Sequence, residues 1–148
     1  YAMQNLSTVH LYDIRHHDEV FLCGGHLSLP MVDIDDVGEV AANILMVGGH
    51  EAQIYVLTGT ESLNFYQVAD ILSRVLGRDI RYRNPYTFQF VYRLWSRGES
   101  WKDILIRRFI YLLSSRGSEQ VEGDLERLLG REPTTFEEFV IKMKETFT

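Results

Sequence analysis

The chain has 148 residues, of which 45% are hydrophobic and 24% charged, a composition typical of one globular domain with a substantial core. Its formal net charge of -6 excludes a nucleic-acid-binding protein, because phosphate recognition needs a concentrated basic face. Its apolar runs are far shorter than the roughly 20 residues of a membrane-spanning helix, so no membrane contact is predicted.

Features near the start of the chain predict its setting. The single cysteine, Cys23, has no partner for an internal disulfide, and no secretion signal precedes it, so we expect a cytoplasmic protein. The chain begins with Tyr1 rather than methionine, which favours the interpretation that the sequence was cut from a longer chain. Because no base is identifiable beside Cys23, we expect an inert, half-buried thiol rather than a nucleophile.

The first thirty residues predict a short helix, a strand and a turn. Apolar spacing over residues 6–14 indicates a helix that ends near residues 15–18, and residues 19–23 have the composition of a strand. The glycines at 24–25 predict a hairpin turn towards Pro30. Neither this glycine pair nor the pair at 48–49 has the spacing of a phosphate-binding loop.

Residues 30–45 predict a short strand, at 31–32, that turns directly into an amphipathic helix. Asp33 or Asp35 is expected to cap this helix, and since no basic partner is nearby in sequence, a cap is favoured over acid–base chemistry. Gly38 and Ala42 are expected to let a neighbour approach closely. The predicted apolar stripe consists of Val37, Val40, Ala41, Ile44 and Leu45.

The middle of the chain predicts a strand, a helix and a second strand. Residues 53–59 form a continuous apolar run typical of a central strand. The helix over 65–76 is expected to be capped by Ser62 or Asn64, with a strand at 79–83 after it. This order implies that the two strands are parallel and joined by a right-handed crossover.

From residue 86 onward the pattern is wholly helical, with glycines at 98, 117 and 130 between the segments. The predicted helices are 87–97, 101–115, 122–129 and 135–147. The last of them carries a buried stripe of Phe136, Phe139, Val140, Met143 and Phe147.

Two groups of side chains are candidates for chemistry. The five histidines lack the spacing of metal ligands, so no metal site is predicted and ordinary pKa values are expected. The aromatic group is expected to be mainly core, with a flat apolar ligand or a partner helix as the alternative. It consists of Tyr86, Phe88, Phe90, Tyr92, Trp95 and Trp101. Tyr86 and Phe90 lie one turn apart beyond a strand end, where α/β folds place ligand clefts.

An ordered set of segments covering nearly the whole chain resembles the C-terminal half of NmrA-like proteins, the atypical short-chain dehydrogenase/reductase group. These segments are 1–6, 31–37, 55–59, 63, 68–69, 76–78, 124–133 and 135–139. The resemblance implies an α/β fold, the C-terminal part of a Rossmann-type protein, with few short strands and a mostly helical substrate-side subdomain. Residues 1–148 would form a single domain or fragment, mixed over 1–84 and helical over 85–148.

The same resemblance implies an N-terminal dinucleotide-binding half that is absent here. The sequence has no glycine-rich loop after a strand and no Tyr-x-x-x-Lys pair, so we assign no catalytic residue to it. NAD(P) is implied for the full-length protein, and no cofactor is expected for this chain alone. Whether the chain belongs to an enzyme stays open.

By this resemblance, residues 1–5 would pass near the nicotinamide and the substrate. The predicted substrate-binding residues are Tyr1, Met3 and Asn5, together with Tyr86 and Phe90 from the aromatic group. The leading function is the substrate-binding portion of an NAD(P)-dependent oxidoreductase or nucleoside-diphosphate-sugar-epimerase-like protein, inactive as this segment.

Two other functions are open: a redox-sensing regulator that binds dinucleotide and a protein partner without turnover, and a self-associating interaction module. The partner of the full-length form would be a small-molecule substrate. Because residues 54–57 are too apolar for an exposed edge strand, a homo-oligomer formed through them is also expected.

Overall fold

The computed structural model describes the backbone of residues 1–114 and 120–148, and the side chains of residues 1–110 and 120–148. In chain order the elements are α1 (Gln4–Ser7), α2 (Leu11–His17), β1 (Glu19–Phe21), β2 (Ser28–Pro30), α3 (Ile34–Val47), β3 (Ser62–Asn64), α4 (Phe65–Leu76), β4 (Arg81–Arg83), α5 (Thr87–Ser96), α6 (Trp101–Ser114), α7 (Asp124–Leu129), α8 (Phe136–Lys142) and α9 (Lys144–Phe147). Short strands followed by helices confirm the predicted α/β class.

The strands form two small sheets. β1 and β4 are parallel, with Val20 opposite Tyr82, and β2 and β3 are antiparallel, with Leu29 opposite Leu63. The start of the chain is fixed beside β2, since the Val32 amide donates to the Tyr1 carbonyl at 2.9 Å. Tyr1 and its neighbours are therefore held in place by backbone bonds rather than by side chains alone.

The structure corrects three predictions about strands. Residues 53–59 form no ladder with any strand that the structure describes, and Ile54 is 90% exposed. Its hydrogen bonds are not those of a strand: the Val56 amide donates to Asp124 Oδ2 at 3.2 Å, and the Gln53 amide donates to the nearby His50 carbonyl at 3.2 Å. An apolar run becomes a strand only when a partner supplies the hydrogen bonds. The parallel partner of β4 is β1 instead, and β1 and β2 form no hairpin with each other.

α4 lies at the centre of the core, as its apolar periodicity predicts. Asn64 and Gln67 form a capping box at its start, and Gly77 ends it in the left-handed conformation. Residues from both sides of position 84 pack in the same core, among them Leu72 and Phe90. The division of the chain at 84 stays a prediction.

α3 has the predicted cap but only part of the predicted buried stripe. Asp33 accepts from the Asp35 amide at 3.0 Å, and Val40 is buried against α7. Ala41 and Leu45 are exposed, and nothing that the structure describes approaches Gly38 closely. The apolar stripe of α3 is therefore wider than the surface that α7 covers.

The carboxylates at the start of α3 do have basic partners, contrary to expectation. Arg131 pairs with buried Asp36 at 2.8 Å, and the Thr134 amide donates to the same carboxylate at 2.7 Å. Lys142 pairs with Asp35. Sequence proximity could not show this, because these partners are about a hundred residues away. The contacts support the structural role that the cap assigns to the cluster.

The predicted last helix is divided at Met143 into α8 and α9, although its apolar stripe is buried as expected. The division lets Phe147 contact Phe139 edge-on, with ring centroids 6.5 Å apart. Arg78 Nη2 then donates to the Phe147 carbonyl at 2.7 Å, which ties the C-terminus to α4. The predicted ends at Ser115 and Gly117 lie outside the described residues.

Candidate functional site

A cavity of about 330 Å³ lies between the first ten residues and α6. Two of the predicted substrate-binding residues, Tyr1 and Asn5, line it. The complete lining is Tyr1, Asn5, Val9, His10, Asp103, Ile106, Arg107 and Ile110. The structure thus combines apolar and hydrogen-bonding side chains from two distant parts of the sequence in one cleft.

Backbone and side-chain bonds fix the N-terminal wall of this cavity. The Tyr1 ring meets Phe65 of the core edge-on, with centroids 6.0 Å apart. Gln4 donates to the Asp33 side chain and accepts from the Ile34 amide at 3.1 Å, which joins α1 to the start of α3. Asn5 is held in turn, since its carbonyl accepts from the His10 amide at 3.0 Å. The cavity wall is therefore positioned before any ligand binds.

His10 is the most perturbed titratable group of the cavity. Burial and the nearby Arg107 charge lower its pKa to about 4, although Asp13 acts in the opposite direction. The ring is consequently neutral at neutral pH and can both donate and accept a hydrogen bond. At His10 this corrects the expectation of an exposed or turn histidine with an ordinary pKa.

The opposite wall carries charge on one face of α6. Arg107 and Asp103 are one turn apart, and Arg107 pairs with Glu99 at 2.8 Å. Beside them, Ile106 and Ile110 provide apolar surface. Such a wall can bind the polar end of a small molecule while apolar contacts orient the rest of it.

The other predicted site residues lie elsewhere. Met3 and Phe90 belong to the core, each 1% exposed, whereas Tyr86 is 74% exposed at the start of α5. The prediction that the aromatic group belongs mainly to the core was therefore wrong except for Phe90. The exposed members are Tyr86, Phe88, Tyr92, Trp95 and Trp101. α5 lies at the surface, and only one face of it, with Phe90 and Leu94, packs against the core.

Sequence reasoning missed His10, Asp103 and Arg107. A signal was available for the last two, because residues four apart on a helix share a face, but nothing local connected that face with the first ten residues. Cys23 is half-buried, as expected, and burial raises the pKa of its thiol; its lack of reactivity stays a prediction. Among the described residues, no group of His, Cys, Asp and Glu could hold a metal ion.

Comparison with solved structures finds the same fold in proteins whose names describe reductases. The chain is similar to the NADPH-dependent quinone oxidoreductase QOR2 of Escherichia coli in complex with NADPH, with a TM-score of 0.86 and 21% identity over 97% of this chain and 51% of that one. Its similarity to the triphenylmethane reductase of a Citrobacter species in complex with NADP(H) gives a TM-score of 0.84 at 22% identity, over 97% of this chain and 50% of that one.

Sequence comparison agrees with this placement. The chain is 26% identical to an agroclavine dehydrogenase of Claviceps fusiformis over 98% of its own length and 52% of that protein. It is 35% identical to an NAD(P)H azoreductase of Xenophilus azovorans over 55% of its length and 28% of that protein. No family model matches the chain.

The chain has the fold of the C-terminal part of NAD(P)-binding Rossmann-type reductases, in agreement with the resemblance to NmrA-like proteins. It spans about half the length of the curated relatives it matches over most of its own length. None of the helices that the structure describes has the length and apolar character to cross a membrane.

Proposed function

We propose that this chain provides the substrate side of an NAD(P)-dependent reductase, with the cavity between Tyr1, Asn5 and α6 as its part of the substrate site. The observation that carries the proposal is that residues predicted to lie near substrate line a cavity together with a buried neutral histidine and an arginine. Relatives with dehydrogenase and reductase names support the same reaction class.

Each cavity residue has a role in binding rather than in bond making. The Asn5 amide and the His10 ring can hydrogen-bond a substrate carbonyl, and Arg107 provides a fixed positive charge nearby. Ile106 and Ile110 exclude water from one side. NAD(P), when bound to the full-length protein, would supply the hydride, and its binding requires residues that this sequence does not contain.

An exposed apolar surface supports the expectation of a further half. Ile34, Leu45 and Ile54 are 51%, 86% and 90% exposed on α3 and the adjoining extended segment. Surfaces of this kind mark contacts with another protein unit. In the full-length protein we expect the dinucleotide-binding half to cover them, and in the chain alone we expect self-association.

The first experiment is to measure the intact mass of the protein in its own cells, with an antibody to this chain. A mass near twice 17.2 kDa would agree with a dinucleotide-binding half on the same polypeptide. The protein of that mass is then assayed for NADPH oxidation with a quinone, an aldehyde and a dye as acceptors. A mass near 17.2 kDa would contradict the proposal and favour an interaction module.

The decisive variant is Arg107→Gln in the full-length protein. We expect its KM for the acceptor to rise about tenfold with a smaller change in kcat, because the arginine binds substrate without taking part in hydride transfer. Arg127→Gln on α7 is the control, since Arg127 also pairs with one carboxylate but lies outside the cavity. Tight NADPH binding without oxidation of any acceptor would overturn the proposal in favour of the regulator.

A further inference from the structure

A second and larger cavity, of about 1090 Å³, lies between β1, β4 and α5. It shares no lining residue with the cavity beside Tyr1 and Asn5. Its volume is at the upper end of the range of small-molecule sites, a few hundred to about 1000 Å³. The cavity is therefore large enough to be a separate binding site.

Aromatic side chains form one side of this cavity. Phe88 and Tyr92 lie one turn apart on α5, and both are more than two-thirds exposed. At the base lies Phe21 of β1, which is 5% exposed, with the Arg93 guanidinium 3.7 Å from its ring centroid. Two exposed rings in the lining, together with a guanidinium stacked on a third ring, form a surface that favours a planar aromatic group.

The charges beside the cavity leave a positive surplus. Glu19 accepts from Arg83 Nε at 3.1 Å and from Arg93 Nη1 at 2.6 Å, while Asp13 is shared by Arg93 and Arg97. Three guanidinium groups thus face two carboxylates, which gives a net charge of +1 for this network. The surplus is notable in a chain whose formal net charge is -6.

Arg83 is the member of the network best able to bind a ligand. Its side chain is 60% exposed, and it uses only Nε for Glu19, so neither Nη atom has a hydrogen-bond partner among the described residues. A carboxylate matches the geometry of such a guanidinium. The first turn of α5 also lies at the cavity, and the positive end of its helix dipole adds to the attraction for an anion.

We infer that this cavity binds a planar aromatic carboxylate. The ring contacts Phe88 and Tyr92, and the carboxylate accepts hydrogen bonds from the Nη atoms of Arg83. The site does not depend on NAD(P) or on turnover, so its occupancy is measured independently of the proposed reductase function.

The test uses calorimetric binding of three naphthalene probes to the intact protein: 2-naphthoate, 2-naphthylmethanol and 2-naphthylmethylamine. They share a ring and differ in charge, so we expect the anion to bind most tightly. Arg83→Gln should weaken naphthoate about fivefold while leaving the neutral probe unchanged, as expected for one partly exposed ion pair. Tyr92→Ala should weaken all three probes, because it removes an aromatic wall.

Arg74→Gln is the matched control, because Arg74 is 63% exposed, pairs with one glutamate and lies outside this cavity. Circular dichroism checks that each variant is folded. The inference is overturned if wild-type protein binds the three probes equally or binds none. It is also overturned if Arg83→Gln and Arg74→Gln change naphthoate binding to the same extent.

Discussion

His10 is buried between α1 and α2, and the same ring lines the proposed substrate cavity. Its neutrality has two consequences, one for binding and one for stability. A neutral ring can donate to a carbonyl without adding a second positive charge beside Arg107. A ring that resists protonation when folded also makes the folded state sensitive to acid.

We therefore expect His10 to destabilise the folded state as pH falls. Its pKa is about 4 in the folded protein and ordinarily 6.5, so its contribution is unchanged above about pH 6.5 and becomes unfavourable as pH falls towards about 4. The difference corresponds to roughly 3 kcal/mol of unfolding free energy. The measurement is urea denaturation of wild type and His10→Gln between about pH 7 and about pH 4.

His10→Gln should lose less stability than wild type over this interval, because the variant lacks the titrating ring. His16→Gln, at an exposed position of α2, is the control and should behave as wild type does. Parallel pH profiles for His10→Gln and wild type would contradict the prediction.

At the scale of the element, α8 shows how a single amphipathic helix closes the core against α4. Phe139 is 1% exposed and touches both Phe136 and Phe147, whereas Ile141 on the opposite face is 57% exposed. Thr135 and Glu138 form a capping box that fixes where the helix begins. The cap and the apolar periodicity together determine which residues point inward.

Phe139→Ala is expected to lower the unfolding free energy by about 3–5 kcal/mol, because it leaves a cavity in the core. Phe139→Leu should cost less, about 1 kcal/mol, since it conserves most of the volume. Ile141→Ala is the matched control and should change stability by no more than about 0.5 kcal/mol. Chemical denaturation measures all three, and equal losses at the two positions would contradict the packing described.

For the molecule as a whole, the important surface is the exposed first part of the segment 53–59, since Thr58 and Gly59 at its end are buried. Ile54 and Val56 are exposed, and the segment has no strand partner among the described residues. Extended apolar backbone without a partner is a template for pairing between chains. The same surface that we propose to meet a dinucleotide-binding half should therefore cause association when that half is missing.

We expect the chain alone to sediment as a concentration-dependent oligomer, and Ile54→Lys to shift it towards monomer because a charge opposes edge pairing. Ile141→Lys introduces the same charge at another exposed isoleucine and should leave the oligomer unchanged. A wild-type chain that is monomeric at high concentration, without detergent, would refute this prediction.

Local sequence patterns predict most of the helical segments, several of their ends and the class of fold, although the first and last predicted helices are each divided in two. The Asn64 capping box, Gly77 at the end of α4 and the buried stripe of α8 depend on contacts within a few residues, so local patterns predict them. The ordered resemblance added Tyr1 and Asn5, which the structure brings to one cavity.

The strand partners and the surroundings of the site residues depend on contacts between distant parts of the chain. β1 pairs with β4 rather than with a neighbour in sequence, and His10 lies beside Arg107, almost a hundred residues away. Ile54 and the aromatic face of α5 are exposed because no other part of the described structure covers them. Apolar periodicity records that a residue favours burial, but burial requires a neighbour, and that neighbour is set by the whole fold.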